Sequence, residues 1–208
     1  MTLDRRRLRP GDPAPDFTLA AADREGQVSL HEYRGRTGLF LALFRGLYCP
    51  FCRRQMVQLN RTAEWLSQKG VQTLAVVATP AERARPYFRF RPLSFPVAAD
   101  PDLNTHHAYG FWERPFTPSV EQLAEEAALD VARELGISTR LGEARSAIQS
   151  ADGFQMLDSD QREADRQQAM LIGQILIDRA GLVRWINVET RAGVLPSEQE
   201  LSAAIAGL

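Results

Sequence analysis

The chain has 208 residues, 44% of them hydrophobic, 25% charged and 8% aromatic, with 14 Gly and 12 Pro, a composition that excludes disorder and fibrous repeats. At this length a single domain spanning 1–208 buries roughly 70% of the surface its unfolded chain exposes, so neither disulfide nor metal is needed to hold it together. A formal net charge of -1 gives no attraction to polyanions, and the longest apolar runs, such as Leu39 to Phe44 and Leu74 to Ala78, are too short to span a bilayer, so neither nucleic acid nor membrane is an expected partner.

Arg5, Arg6, Arg7 and Arg9 read as a solvated tail, and Pro10-Gly11-Asp12-Pro13 follows where a secretory signal would need an apolar stretch. The expected location is therefore the cytoplasm. Asp16 to Ala20 and Gln27 to Leu30, separated by Asp23-Arg24-Glu25-Gly26, predict an N-terminal hairpin. Leu39 to Phe44 is apolar without alternation, as for a central strand covered on both faces. From Pro50 to Lys69 the residues Met56, Leu59, Ala63 and Leu66 recur at helical spacing, with Pro50 suited to the first position and Gly70 to the end. A strand over Val71 to Ala78, a helix over Pro80 to Phe90, a strand over Phe95 to Ala98 and a helix over Asp102 to Tyr109 complete the first half. A second hairpin is expected over Ile172 to Asp178 and Leu182 to Val188, then a closing helix over Pro196 to Ala206.

This alternation predicts an α/β fold, a central mixed sheet flanked by helices. Between Phe111 and Ala169 the pattern becomes that of a helical insertion. Val120, Leu123, Ala127, Val131 and Leu135 form one stripe, read as the packed face of a self-packed helix and alternatively as a homodimer contact, and a second helix is expected over about Asp158 to Gln168. Ser119 to Gln168 holds 11 acidic residues against 5 Arg, whereas Arg34 to Arg91 holds 11 basic against 2 acidic.

The only two cysteines, Cys49 and Cys52, are three apart, and in a reducing compartment such a pair reads as redox-active. Cys49 follows the central strand and the loop Arg45-Gly46-Leu47-Tyr48, directly before Pro50, at the N-terminal cap of the long helix. Unsatisfied N–H groups and the helix dipole favour a thiolate there, and Arg45 or Arg53 favours it further, so Cys49 is the expected nucleophile. Cys52, one turn on, lies roughly 5 to 6 Å away between Cα atoms, within reach of a disulfide. A zinc site is disfavoured, because His31, His106 and His107 have no spacing that completes four ligands. No Gly-rich phosphate loop appears, so no cofactor is expected. His106 and His107 are read as packed or solvated, and Phe111, Trp112 and Phe116 as core residues that alternatively line an apolar pocket over Cys49.

The runs Gly11-Asp12-Pro13-Ala14-Pro15-Asp16-Phe17-Thr18-Leu19, Val28-Ser29-Leu30 and Phe44-Arg45-Gly46-Leu47-Tyr48-Cys49-Pro50-Phe51-Cys52 resemble the peroxiredoxin-like (AhpC/TSA-type) family, in its Arg-Gly-x-x-Cys-Pro-x-Cys branch. The resemblance covers residues 11–110 and about 170–208, outside the 111–169 insertion. It implies a thioredoxin-like fold, an antioxidant peroxidase with a peroxidatic Cys49, hydroperoxide as substrate, and a thioredoxin-like or low-molecular-weight thiol as reductant. The sequence departs from the family where Pro and Thr are usual, at Ala42 and Gly46, and where a second arginine or a cis-proline is sought, near Ile172. The chemistry compatible with these departures is attack of Cys49 on an O–O bond, condensation of the sulfenic acid with Cys52, and stabilisation of the thiolate and developing oxyanion by Arg45. Thiol-disulfide exchange by the same pair is the alternative, and a redox-sensing module that binds a partner through the insertion is a second.

Overall fold

The structure, a computed structural model, describes residues 8–208; Arg5, Arg6 and Arg7 of the basic tail lie outside the described residues. β1 (Thr18–Ala21) and β2 (Gln27–Ser29) form the predicted hairpin, and a single 3-10 turn over Leu30–Glu32 follows, capped by Ser29. The core alternation is β3 (Gly38–Phe44), α1 (Pro50–Gln68), β4 (Val71–Val77), α2 (Ala81–Phe90), β5 (Val97–Ala99) and α3 (Asn104–Ala108). Three insertion helices follow, α4 (Pro118–Glu134), α5 (Ala144–Gln149) and α6 (Asp158–Gln167), and the chain closes with β6 (Gly173–Ile177), β7 (Val183–Val188) and α7 (Glu198–Ile205). The seven strands make one mixed sheet in the order β2-β1-β5-β4-β3-β6-β7, parallel across β5-β4-β3 and antiparallel at the other pairings.

β3 is buried at every residue because it has a layer on each side. Its period-two side chains divide between two cores: Phe40, Ala42 and Phe44 join α1, α2, α4, α5 and α7 residues, whereas Leu39, Leu41 and Leu43 meet Phe17, Leu30, Tyr109 and Phe111. The end of β3 therefore points its loop at the edge of the helical layer, where α1 begins. α1 buries Met56, Leu59, Ala63 and Leu66, as the spacing requires, and ends at Gly70, whose φ of +75 suits glycine.

The insertion differs in detail from its sequence reading. α4 buries Ala127, Ala128, Val131 and Ala132, while Leu123 and Leu135 of the expected stripe are 60% and 49% exposed. Small alanines let α5 approach closely, and that apposition turns the buried face away from the leucines. α5 itself carries no sequence signal, because its six residues are too few for a periodic pattern and the run before it, 138–143, is mostly polar. The expected helix over Asp158 to Gln168 is found as α6.

The insertion is fastened to α1 by a buried arginine. Arg53, 1% exposed, donates from Nε to Asp152 at 2.7 Å, from Nη1 to the Leu47 carbonyl at 2.7 Å and from Nη2 to the Gln149 carbonyl at 2.5 Å. Its guanidinium lies 4.1 Å from the Phe154 ring centre, and Arg83, bonded to the buried Asp160 at 2.7 Å, approaches the same ring at 5.0 Å.

Candidate active site

Cys49 is the N-cap of α1, with extended backbone, and its Sγ accepts the Cys52 N–H at 3.3 Å. The sequence places it there for local reasons: Pro50 supplies a preset φ and has no N–H to leave unpaired, so the residue before it must carry the cap. Burial alone would raise the Cys49 pKa, but the hydrogen bond from the Cys52 thiol, the Arg45 guanidinium, the Cys52 N–H and Arg53 outweigh it and bring the value down to about 6. Cys52 moves the other way, because burial, its bond to Cys49 and the Cys49 charge hold it well above the usual thiol range. One sulfur is thus a thiolate at neutral pH and its neighbour a proton-bearing thiol, the pairing needed for attack by the first and condensation by the second.

Arg45, expected from sequence beside Cys49, lines the cavity over that sulfur and is partly buried; its Nε is buried without a hydrogen-bond partner. Arg53 also contributes to the lowered pKa, although its direct bonds go to the insertion. The cavity over Cys49 has a volume of about 780 Å³ and is walled on one side by residues of the 45–51 segment and on the other by the insertion. Phe111 is in the core, as expected, whereas Phe116 is 43% exposed and lines the cavity, the alternative reading. Trp112 stacks on His107 at 4.3 Å, and His107 meets Glu113 at 2.9 Å. His106 is fully buried between Asp100, at 2.7 Å, and the Phe44 carbonyl, at 3.0 Å, and ties α3 to the end of β3. Among the described residues no group of three or more His, Cys, Asp or Glu stands together as a metal site.

Sequence reasoning missed four residues that complete the site. Gln167, at the end of α6 and fully buried, accepts the Gly46 N–H at 3.1 Å and the Tyr48 hydroxyl at 3.0 Å and donates to the Ala78 carbonyl at 2.8 Å. Gln149 donates to the Tyr48 carbonyl at 3.0 Å, and Thr79 accepts the Leu47 N–H at 2.8 Å. Gly46, Leu47 and Tyr48, directly before Cys49, are thereby all held, partly by side chains from the insertion. Gly46, where the resembled family has Thr, has no room for a side chain: a Cβ would lie 2.8 Å from the Tyr48 ring and 3.0 Å from the Ala78 oxygen. Ile172, at the place sought for a second arginine, is buried in the core, as is Ala42.

Glu189, just after β7, is the fourth. Gln55 Nε2 donates to it at 3.0 Å and the Gly193 N–H at 2.7 Å. Burial raises its pKa to about 7 against the lowering by Gln55 and Arg45, and the Cys49 charge adds to the rise. A carboxyl placed one residue beyond an apolar strand carries no sequence signal of its own.

The rate of Cys49 alkylation by iodoacetamide has its half-point near pH 6, and Arg45→Met moves it toward the ordinary thiol value of about 8.5, so that the rate at pH 6.5 falls severalfold. Because the folded value is depressed, the thiolate's contribution to stability is fully present above about 8.5 and is lost as pH falls through 6. Gln167→Ala leaves the Gly46 N–H and the Ala78 carbonyl unpaired in a buried site, a loss of roughly 1–3 kcal/mol in urea unfolding.

A helix-capping, acid-shifted cysteine, its protonated partner one turn on and a mixed sheet with helices define a thiol oxidoreductase of thioredoxin-like fold. The chain belongs to the AhpC/TSA family, whose model matches residues 10–186. It is 36% identical over 124 residues to the thiol-disulfide oxidoreductase ResA of Halalkalibacterium halodurans, covering 59% of this chain and 68% of that protein. It is 31% identical over 104 residues to a Mycobacterium tuberculosis protein provisionally named a peroxiredoxin, covering 50% of this chain and 65% of that protein. The chain thus spans about two thirds of the length of these two curated relatives. The reduced 2-Cys peroxiredoxin of Plasmodium vivax shares the fold, with a TM-score of 0.60 at 14% identity over 96% of this chain and 81% of that one.

Proposed function

We propose that the protein is a thiol-dependent peroxidase. The Cys49 thiolate attacks the terminal oxygen of a hydroperoxide, the O–O bond breaks, an alcohol or water leaves with a proton, and Cys49 becomes a sulfenic acid. The Cys52 thiol then attacks that sulfur, water leaves, and the Cys49–Cys52 disulfide forms; a thiol donor returns the pair to the reduced state. Arg45 stabilises the thiolate and the developing oxyanion.

The observation that carries this reading is the burial of an activated sulfur. Cys49 is 3% exposed and Cys52 fully buried, and the cavity above them admits small molecules. A protein disulfide must bring its sulfur in line with Cys49 past the insertion residues that wall the cavity, whereas a hydroperoxide is small enough to align its O–O bond with Cys49 inside it. The cytoplasm as its location belongs to the same proposal, and a homodimer contact is assigned to the exposed Leu123 and Leu135.

Thiol-disulfide exchange is the second reading, favoured by Gly46 and Ile172, which supply neither of the polar groups that peroxiredoxins use to hold peroxide, and by the similarity to ResA. Stopped-flow rates of the fully reduced protein with hydrogen peroxide, an alkyl hydroperoxide and an oxidised dithiol decide between them. The peroxidase reading expects either hydroperoxide to react about a hundredfold or more faster than with free cysteine. A peroxide rate equal to that of free cysteine beside rapid exchange with the dithiol transfers the assignment to the second reading.

A further inference from the structure

Hydrogen peroxide is close to water in size and fills a small part of the 780 Å³ cavity over Cys49, whereas cavities of roughly 300–1,000 Å³ hold whole small molecules. Where the cavity meets the insertion, Arg145, Ser146, Gln161, Asp165 and Gln168 give it polar groups beside the apolar Phe116, Ala124 and Met156, a mixed lining that suits a ligand with both a hydrocarbon part and charged or amide groups. Counting Arg45, two guanidinium groups face it against one carboxylate. Arg45 Nε is buried with no hydrogen-bond partner, so the guanidinium beside the cavity keeps unused donor capacity. Arg145 sits at the rim, 38% exposed, 3.5 Å from Glu125 and 5.2 Å from the Phe116 ring.

We propose that this cavity is the docking site of the reductant, a low-molecular-weight, carboxylate-bearing peptide thiol. The inference takes from the proposed function only that the oxidised state is the Cys49–Cys52 disulfide. The donor thiolate attacks Cys49 Sγ, the intramolecular S–S bond breaks, and the electron pair passes to the Cys52 sulfur, which takes up a proton. A second donor thiolate attacks the donor-derived sulfur of the mixed disulfide, releasing the oxidised donor and the Cys49 thiolate. Access selects Cys49 as the sulfur attacked, since Cys52 has no open surface. A protein donor is disfavoured by the same burial, with the insertion anchored through Arg53 and Gln167.

The test uses the full chain oxidised with diamide, so that no peroxide chemistry is involved, and follows disulfide reduction by quenched alkylation and mass spectrometry. The donors are glutathione, the cationic thiol cysteamine and a thioredoxin, with rates expressed per thiolate. Glutathione is expected to saturate, to exceed cysteamine about tenfold and to exceed thioredoxin. Arg145→Gln is expected to reduce the glutathione-to-cysteamine ratio about threefold. Ala124→Trp, which fills the cavity, is expected to slow glutathione more than cysteamine, with circular dichroism verifying the fold. Equal rates with glutathione and cysteamine, faster reduction by thioredoxin, or no Cys49–Cys52 disulfide after diamide would each overturn the inference. Peroxide inertness with glutathione preference intact would remove the peroxidase reading and leave the docking site standing.

Discussion

Cys49→Ser is expected to abolish turnover with every hydroperoxide, a loss of about a thousandfold or more, because a serine hydroxyl at the same N-cap is neither ionised at neutral pH nor able to attack an O–O bond. Cys52→Ser has a different signature. The first attack still occurs, since Arg45, the helix N-terminus and the backbone N–H at position 52, which the substitution leaves in place, still lower the Cys49 pKa. With no thiol to condense and no donor present, the protein then holds the oxidation as a Cys49 sulfenic acid after one equivalent of peroxide. Single-turnover consumption of peroxide, measured beside steady-state turnover, separates the two variants. A Cys49→Ser protein that retained turnover would exclude Cys49 as the nucleophile, and multiple turnover by Cys52→Ser with a dithiol donor as fast as wild type would exclude Cys52 as the resolving thiol.

The second large effect is expected at a residue that touches no substrate. Arg53→Met removes the guanidinium that joins the Leu47 and Gln149 carbonyls to Asp152, leaving two carbonyls without their donor and a ring without its cation. The expected loss is roughly 3 kcal/mol in urea unfolding, with the Cys49 half-point moving upward as the loop loosens. Asp152→Asn should cost less, because Asp152 is 37% exposed and water screens the pair. Burial would raise the Asp152 pKa, but Arg53 holds it below the usual carboxylate range. Its stabilisation is therefore present above about pH 4 and is lost only as pH falls through that lowered value. A stability loss in Arg53→Met below about 1 kcal/mol, with the alkylation profile unmoved, would show that the insertion docks without it.

The division between what the sequence discloses and what it conceals follows contact range. β3 and β4 read as strands because both faces are covered and apolar residues dominate them, and α1 reads as a helix because Met56, Leu59, Ala63 and Leu66 share one buried face. Cys49 as N-cap and Cys52 one turn later are fixed by four consecutive residues, so their chemistry is local and legible. Gln167 meets Gly46 across 121 positions and Glu189 meets Gln55 across 134. A glutamine in a polar helix or a glutamate at a strand end is otherwise an ordinary solvated residue, and only the fold shows it buried. The leucines of α4 mislead for a related reason: which face of a helix is buried depends on the neighbour, and α5, the neighbour here, is too short to announce itself.

The central claim is that Cys49 takes oxygen from a hydroperoxide and passes the oxidation to Cys52. Its most direct test is to mix fully reduced protein with one equivalent of hydrogen peroxide, quench with an alkylating agent within milliseconds to seconds, and weigh the intact protein. The expected result is rapid loss of two hydrogens with neither cysteine alkylated and a Cys49–Cys52 peptide pair after digestion, while Cys52→Ser gains one oxygen on Cys49 instead. Both cysteines remaining alkylatable, at a peroxide rate no greater than that of free cysteine, would contradict it.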